Sequence, residues 1–407
     1  MVTATPPFML AFLFLAALTP ASSFDLATHE RPRVLRLADA ALDAEVRTIT
    51  SVVNPRSAGG PHDFSSDGDY WWPDPATPSG PYIARDGLSN PDNFVAHREL
   101  MMTMAGHVGA LATAYRLTGE ERYAAAAVRH LHAWFAAPET RMNPFLLYAQ
   151  AVRGRSTGRR IGLIDTLHLV EPALAVLALR GSASLTPETD AAITDWFRRY
   201  GEWLRTHPFG IEESQSRTNH STCWTLQVAC FARVSGDESA LAECRRRFRE
   251  MHLGTQMALD GSFPEELLRT KPYGYSLFHL DVLAGLAVVL STPDEDLVRY
   301  RRPDGRGVLP GIAWLAPFVA DKNAWLASVH RYVPSPTGPV RSEAFVRPDV
   351  LYWSDWPVRQ PFLLFGALAT GRQDWLELWQ RLDADPSDPE IVRNFPIRQP
   401  LLWHPAP

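Results

Sequence analysis

Residues 111–131 read LATAYRLTGEERYAAAAVRHL: an apolar helix, a Thr-Gly stop, a polar turn and a second, amphipathic helix. The same order returns in residues 228–248, VACFARVSGDESALAECRRRF, and in residues 363–382, LLFGALATGRQDWLELWQRL. Each stretch therefore predicts a hairpin of two helices.

The glycine in each stretch marks the end of the first helix. Gly119, Gly236 and Gly371 suit a left-handed residue after the last helical turn, because glycine lacks the Cβ that disfavours this conformation. Acidic residues follow, among them Glu121 and Asp237, and these suit the start of the next helix, where the helix dipole favours carboxylates.

The three hairpins are neither close together nor evenly spaced, which excludes a simple solenoid repeat. The pattern predicts a mainly α fold, an α/α toroid in which helical hairpins form an incomplete barrel. A plain helical bundle is the alternative architecture. Residues 65–91, SSDGDYWWPDPATPSGPYIARDGLSNP, predict a long functional loop. Apolar runs broken by proline in residues 329–357 predict a minor β region toward the C-terminus.

The N-terminus carries a targeting signal. Residues 8–18, FMLAFLFLAAL, form an uncharged run that suits the core of a signal peptide, and small residues follow it. We expect a signal peptide at residues 1–23, one domain at 24–407, and a secreted or periplasmic mature chain. We expect no later stretch to be long and apolar enough to span a bilayer.

Composition narrows the class of partner. The 407 residues carry a net charge of only -5, which gives no support for nucleic-acid binding. The 13 Trp and 11 Tyr residues suit either stacking on sugars or filling a core. Three cysteines, Cys223, Cys230 and Cys244, are too few for a disulfide scaffold and are expected to be packed thiols.

One candidate site segment is SRTNHSTCW, residues 216–224, which precedes an apolar helix. Asn219 and His220 would lie at the helix N-terminus, where backbone N–H groups and the dipole favour an anion such as a sugar carboxylate. Helix capping by Asn219 or Ser221 is the structural alternative.

A second candidate segment is DGSFPEELLRTKPYGYSLFHLD, residues 260–281. Arg269, Lys271, Tyr273 and Tyr275 cluster just before an apolar helix. Arginine can hold a carboxylate through two hydrogen bonds, and a tyrosine beside cations can act as a base or an acid. A surface salt bridge with two core tyrosines would explain the same residues.

Glu265 and Glu266 could instead serve a hydrolase that uses paired carboxylates. Adjacent residues point in different directions on any regular element, which makes them a poor couple. Motifs of other classes do not occur: HExxH, paired CxxC, GxGxxG after a strand and the Walker loop. We therefore expect neither a metal nor a cofactor.

Several blocks together resemble the alginate lyase domain family of polysaccharide lyases over roughly residues 69–309. They are YWWPDP (70–75), TRMNPFLLYAQAV (140–152), GRRIGLIDTLHLV (158–170), RTNHSTCW (217–224), DGSFPEEL (260–267) and YSLFHLD (275–281). The resemblance implies an α/α toroid, often with an added β region, that cleaves alginate or related polyuronates such as glucuronan. Residues 310–407 would be a C-terminal helical and β extension.

The resemblance also implies roles for individual residues. The family's Asn-His motif corresponds to Asn219 and His220, its active-site arginine to Arg269 and its catalytic tyrosine to Tyr275. Further candidates for substrate binding, which packing or loop anchoring would also explain, are Gln150, His168, Trp71, Trp72, Tyr273 and Lys271.

This sequence departs from the family pattern at Thr218, where many members have Asn, and at Ser221, where Gly is common. We expect both changes to border the carboxylate site and to affect substrate preference. The expected reaction is β-elimination by a monomer acting on an acidic polysaccharide. A glycoside hydrolase on a similar toroid and a carbohydrate-binding protein without activity are the alternatives.

Overall fold

The computed structural model of the chain describes residues 24–328 and 358–404. The α-helices are α1 (Leu26–Ala41), α2 (Ala96–Thr118), α3 (Glu121–Leu131), α4 (Val170–Leu179), α5 (Pro187–Thr206), α6 (Pro208–Ser214), α7 (Asn219–Ser235), α8 (Glu238–Arg247), α9 (Pro264–Leu267), α10 (Pro272–Leu290), α11 (Val308–Ala320), α12 (Lys322–Ala327), α13 (Pro361–Thr370), α14 (Gln373–Arg381), α15 (Pro389–Val392) and α16 (Pro400–Trp403). Shorter 3₁₀ and π segments are Ile49–Ser51, His132–Ala136, Arg160–Leu169 and Phe248–Gln256.

All three predicted hairpins are confirmed. They are the pairs α2–α3, α7–α8 and α13–α14, and the helices of each pair contact one another. Gly119, Gly236 and Gly371 end the first helix of each pair with φ of 71°, 71° and 76°. The sequence pattern of a helix, a glycine and an acidic turn therefore determines where the chain reverses direction.

The hairpins assemble into the predicted α/α toroid. Helices α2, α4, α7, α10 and α13 contact one another in that order and form an inner layer. Helices α1, α3, α5, α8, α11 and α14 each pack against at least one member of that layer. The short helix α16 contacts α2, α4 and α10. Buried apolar side chains from both layers form one large core.

The described strands are short and lie in the N-terminal half. Strand β1 (Ser65–Asp67) pairs in parallel with β4 (Tyr148–Ala151), and β2 (Trp71–Trp72) pairs antiparallel with β3 (Ile83–Ala84). The predicted loop at residues 65–91 thus contains a small hairpin. The β region expected at residues 329–357 and the expected signal peptide at 1–23 lie outside the described residues.

Two helical segments, Arg160–Leu179 and Pro272–Leu290, have the length and apolar composition of a membrane span, unlike the sequence expectation. They are 78% and 89% buried within the molecule, which is typical of core helices. The three cysteines are buried free thiols, as predicted.

The left-handed glycines at the ends of these helices provide a test of the fold. A Cβ at Gly119 would meet nothing within 4 Å. Substitution Gly119→Ala therefore changes only the backbone preference and should lower the free energy of unfolding by about 1 kcal/mol. Gly201→Ala is the control, because Gly201 lies inside α5 and its added Cβ would make an ordinary 3.6 Å contact with Phe231. We expect that control to be neutral or stabilising in urea denaturation, and equal losses in both variants would contradict the assignment.

Candidate active site

A cleft of about 280 Å³ opens at one end of the inner layer. Its lining comes from the 65–91 segment, the strand and 3₁₀ helix between 148 and 169, the first turns of several inner helices, and residues near 393. The lining residues are Asp69, Tyr70, Trp71, Ala84, Asp86, Arg98, Gln150, Arg159, Ile161, Ile164, Asp165, Leu167, His168, Asn219, His220, Arg269, Tyr275, Phe278, Arg393 and Asn394.

Helix N-termini converge on this cleft. Asn219 is the first residue of α7, Tyr275 lies in the first turn of α10, and Arg98 lies in the first turn of α2. The helix dipole gives each of these ends a partial positive charge. The cleft is therefore suited to an anionic ligand even before its arginines are counted.

Asn219 is held by a carboxylate buried behind it. Both its backbone N–H and its side-chain Nδ2 donate to Oε1 of Glu266, at 2.6 and 2.9 Å. Nδ1 of His279 lies 3.2 Å from the same oxygen. Burial would raise the pKa of Glu266, but His279, Arg269 and the Asn219 N–H outweigh burial and lower it. A fixed carboxylate at the start of α7 thus orients the Asn219 amide.

His220 is oriented by a second buried carboxylate. Its Nδ1 forms a short hydrogen bond with Oε1 of Glu213, while Arg160 donates to Oε2 of the same carboxylate. Burial would raise the pKa of Glu213, but His220 and Arg160 outweigh burial and lower it. The Nδ1 contact leaves Nε2 of His220 as the ring nitrogen available to a ligand.

Arg269 and Tyr275 form one unit. The guanidinium of Arg269 lies 4.1 Å from the centre of the Tyr275 ring and donates to Oδ1 of Asp86 at 3.0 Å. The Tyr275 hydroxyl lies 3.1 Å from that of Tyr70. Burial raises the pKa of Tyr275 well above its usual value, and the charge of Arg269 opposes that rise.

A buried ion-pair network forms another part of the cleft wall. Arg98 holds Asp69 through two hydrogen bonds, at 2.7 and 2.9 Å, and donates to Asp165 at 3.4 Å. Burial would raise the pKa of Asp69, but Arg98 and Arg393 lower it to about 2. Arg393 also donates to the Tyr70 hydroxyl at 3.1 Å. The network ties the 65–91 segment to the C-terminal part of the chain.

Gln150 has an unusual backbone. Its φ is 50°, a left-handed value that disfavours any residue with a side chain. Hydrogen bonds fix it there: Nε2 donates to Asp165 at 2.8 Å, and Arg159 donates to Oε1 at 3.0 Å and to the Gln150 carbonyl at 2.8 Å. A strained residue held by so many contacts in a cleft is typical of a functional site.

Two other predicted substrate-binding residues also line the cleft. Nε2 of His168 donates to the Arg393 carbonyl at 3.0 Å, and burial lowers the His168 pKa to about 4, so its ring is neutral at neutral pH. Trp71 lies between Arg155 and Arg159, whose guanidinium carbons are 5.4 and 5.3 Å from its ring centre.

Three predicted residues do not line the cleft. Trp72 lies outside it and donates from its indole nitrogen to the Leu88 carbonyl at 2.9 Å. Tyr273 is buried, packs 5.1 Å from the Trp325 ring and donates to the Phe318 carbonyl at 3.3 Å. Lys271 is buried and precedes α10. Because α10 begins at Pro272, Tyr273 and Tyr275 point in different directions from the same helical turn.

The structure separates Glu265 from Glu266. Glu266 is fully buried behind Asn219, whereas Glu265 forms an exposed ion pair with Arg217. They do not form a carboxylate pair across the cleft. Thr218 and Ser221 do not line the cleft either, and Ser221 accepts a hydrogen bond from Gln256 at 2.8 Å on the buried side of α7.

Sequence reasoning missed most of the charged lining. Arg98, Asp86 and Arg393 carry no local signal, because their partners are far away in the sequence. Arg159 and Asp165 lie in the 158–170 block, which is where a search around the resemblance could have found them. Among residues 24–328 and 358–404, no group of three or more His, Cys, Asp or Glu side chains is placed to hold a metal ion.

The comparison with known proteins agrees with this geometry. Residues 48–325 match the sequence model described as Alginate lyase. The chain belongs to the alginate lyase family. It is a polysaccharide lyase, and the cleft with its Asn-His pair, arginine and tyrosine is the candidate active site of the lyase. No curated protein sequence matches the chain.

The lyase is similar to solved structures of alginate lyases, and those with a TM-score above 0.5 support the same fold. The crystal structure of an alginate lyase from Bacteroides ovatus has a TM-score of 0.71 and 27% identity, covering 89% of this chain and 92% of that one. Alginate lyase A1-III from Sphingomonas species A1 has a TM-score of 0.48 and 18% identity, covering 81% and 87%. An A1-III variant complexed with a tetrasaccharide has a TM-score of 0.51 and 16% identity, covering 83% and 84%.

Substitutions at Gln150 test directly whether its backbone is strained. Both Gln150→Ala and Gln150→Gly remove the side-chain hydrogen bonds, but only glycine adopts a φ of 50° without penalty. The glycine variant should therefore have the higher free energy of unfolding, by about 1 kcal/mol, in urea denaturation. An alanine variant as stable as the glycine variant would show that the backbone is relaxed there.

Proposed function

We propose that this lyase cleaves a 4-linked polyuronate, such as alginate, polymannuronate or glucuronan, by β-elimination. The observation that carries the proposal is the Arg269–Tyr275 unit, a phenol with a cation 4.1 Å from its ring, in one cleft with Asn219 and His220. Elimination needs a base for the C5 proton and donors that neutralise the neighbouring carboxylate, and this set contains both.

Three side chains are suited to neutralise the uronate carboxylate. The C5 proton is barely acidic while that carboxylate keeps its full charge, so donors that bind the developing enolate lower the barrier. Asn219 uses one Nδ2 hydrogen on Glu266 and has a second for the substrate. The guanidinium of Arg269 is a further donor, and Nε2 of His220 is another when the ring is protonated. Arg269 would exchange its contact with Asp86 for the substrate.

Tyr275 is suited to move the proton. Arg393 has only donors, so the Tyr70 oxygen accepts from it, and the Tyr70 proton is left to donate to the Tyr275 oxygen. That donor and Arg269 would stabilise the Tyr275 phenolate. Where the C5 proton and the leaving oxygen lie on one face of the sugar, Tyr275 would take the first and protonate the second. Where they lie on opposite faces, His220 would be the base and Tyr275 the acid.

The substrate also bears on location. We propose that the chain is exported, because a polyuronate is too large to enter a cell intact and residues 8–18 suit a signal peptide. Action as a monomer remains an expectation from the sequence.

The two tyrosines of α10 provide a matched test. Tyr275→Phe should lower kcat by about a thousandfold or more, because it removes the proton-transfer group. Tyr273→Phe loses the hydrogen bond to the Phe318 carbonyl, which lies outside the cleft, and should keep kcat near that of the wild type. The measurement is the rise in ultraviolet absorbance of unsaturated uronates on polymannuronate, polyguluronate and glucuronan.

The pattern of loss decides the assignment. Full activity of Tyr275→Phe would refute the role of Tyr275. New reducing ends without an absorbance rise in the wild type would indicate hydrolysis, and binding without either signal would indicate a carbohydrate-binding protein.

The pH dependence follows from the buried phenol. Burial holds the pKa of Tyr275 above its usual value, so on substrates where it is the base, kcat/KM should rise about tenfold per pH unit from neutral into alkaline pH. Arg269→Met removes the charge that lowers this pKa and should move the rising limb to still higher pH. A rate independent of pH over this range would contradict a tyrosine base.

A further inference from the structure

A group of arginines on aromatic rings continues outward from one side of the cleft. We call it the arginine platform; its cations are Arg85, Arg153, Arg155 and Arg159, and its rings are Trp71, Trp72 and Tyr82. The guanidinium carbons lie between 5.3 and 5.8 Å from the ring centres: two flank Trp71, and one each lies over Trp72 and Tyr82. These are cation–π distances.

The platform is continuous with the cleft. Trp71 and Arg159 line the cleft, whereas Arg153 and Arg155 are exposed on the turn that follows β4. Trp71 joins the two regions, because Arg159 on its cleft side and Arg155 on the exposed turn both contact its ring. A chain leaving the cleft past Trp71 would meet these cations.

The platform is also rigid. A bridge between Val152 and Ser156 closes the turn, and Arg155 donates to the Tyr82 carbonyl at 2.7 Å. Gly154 has a φ of 74°, and a Cβ there would lie 2.8 Å from Cα of Pro81. The turn therefore packs directly against the segment that leads into β3, and its cations are held in place before any ligand arrives.

Three of the four arginines of the platform, those outside the cleft, lack an ion-pair partner in the described part of the chain. Among the described residues, no carboxylate forms an ion pair with Arg85, Arg153 or Arg155. Arginines near by behave differently: Arg98 pairs with Asp69 and Asp165, and Arg160 with Glu212 and Glu213. Unpaired cations fixed side by side repel one another, so their retention on a preformed surface fits an anionic partner.

Stacking leaves the arginines ready for carboxylates. A guanidinium that lies over a ring presents N–H groups at its edge, and these match the two oxygens of a carboxylate. Arg155 uses its Nε on the Tyr82 carbonyl, so its two terminal nitrogens are the ones available to a ligand. We propose that the arginine platform binds the carboxylates of further uronate units, beyond those in the cleft, and so makes the lyase prefer long polyanionic chains. This inference rests on the proposed polyuronate substrate.

The test compares substrate lengths. We expect the double variant Arg153→Gln/Arg155→Gln to lower the ratio of kcat/KM on a long polyuronate to kcat/KM on a uronate trisaccharide by about fivefold, as two exposed charge pairs would. The drop should come from KM on the polymer, and added salt should reduce the difference between variant and wild type.

The control removes the same charge elsewhere. Arg198→Gln/Arg246→Gln also deletes two exposed arginines, but these pair with carboxylates on α5, α8 and the segment after it. That variant should keep the wild-type ratio. Melting temperatures of both variants show whether each is folded.

Two different failures are distinguishable. If the wild type produces unsaturated uronates and the platform variant keeps the wild-type ratio, or the control loses it equally, the platform has no binding role. If the wild type produces no unsaturated uronates from any polyuronate, the proposed function fails, and the platform proposal fails with it.

Discussion

The candidate active site depends on the buried carboxylate of Glu266. It lies at the start of α7, accepts both the backbone N–H and the side-chain amide of Asn219, and neighbours His279. A buried carboxylate is tolerated only where such donors replace water. Glu266 precedes α10 by one short turn. Its contact therefore brings Asn219 and His220, at the start of α7, beside Arg269 and Tyr275, at the start of α10. Glu213 likewise holds His220 in place, through a hydrogen bond with its Nδ1.

Short-range signals predicted the fold well. The left-handed glycines at 119, 236 and 371 can be predicted from neighbouring residues alone, because the end of a helix is determined within one turn. The hairpin pattern also predicted the toroid, and the resemblance to a family joined the four central residues into one predicted site. Tyr273 shows what closeness in the sequence does not reveal. Because α10 begins at Pro272, Tyr273 and Tyr275, two positions apart, point to different environments.

Long-range pairings could not be predicted in this way. Arg98 with Asp69 and Arg393 with Tyr70 join parts of the chain that come together only when the toroid closes. The sequence suggests for Glu266 only a poor hydrolytic pair with Glu265, because the identity of a residue does not tell whether it faces solvent or the N-terminus of α7. The backbone strain at Gln150 likewise follows from contacts with Asp165 and Arg159 and not from its own sequence context.

The central claim is that the cleft breaks the bond between C4 of a uronate and the linking oxygen, and does so without water as the nucleophile. Cleavage of the preferred polyuronate in water labelled with heavy oxygen, followed at once by mass spectrometry of the products, tests this most directly. Elimination leaves the linking oxygen on the new reducing end, so the account predicts unlabelled reducing ends and unsaturated partners. One heavy oxygen in each new reducing end, with saturated partners, would contradict it.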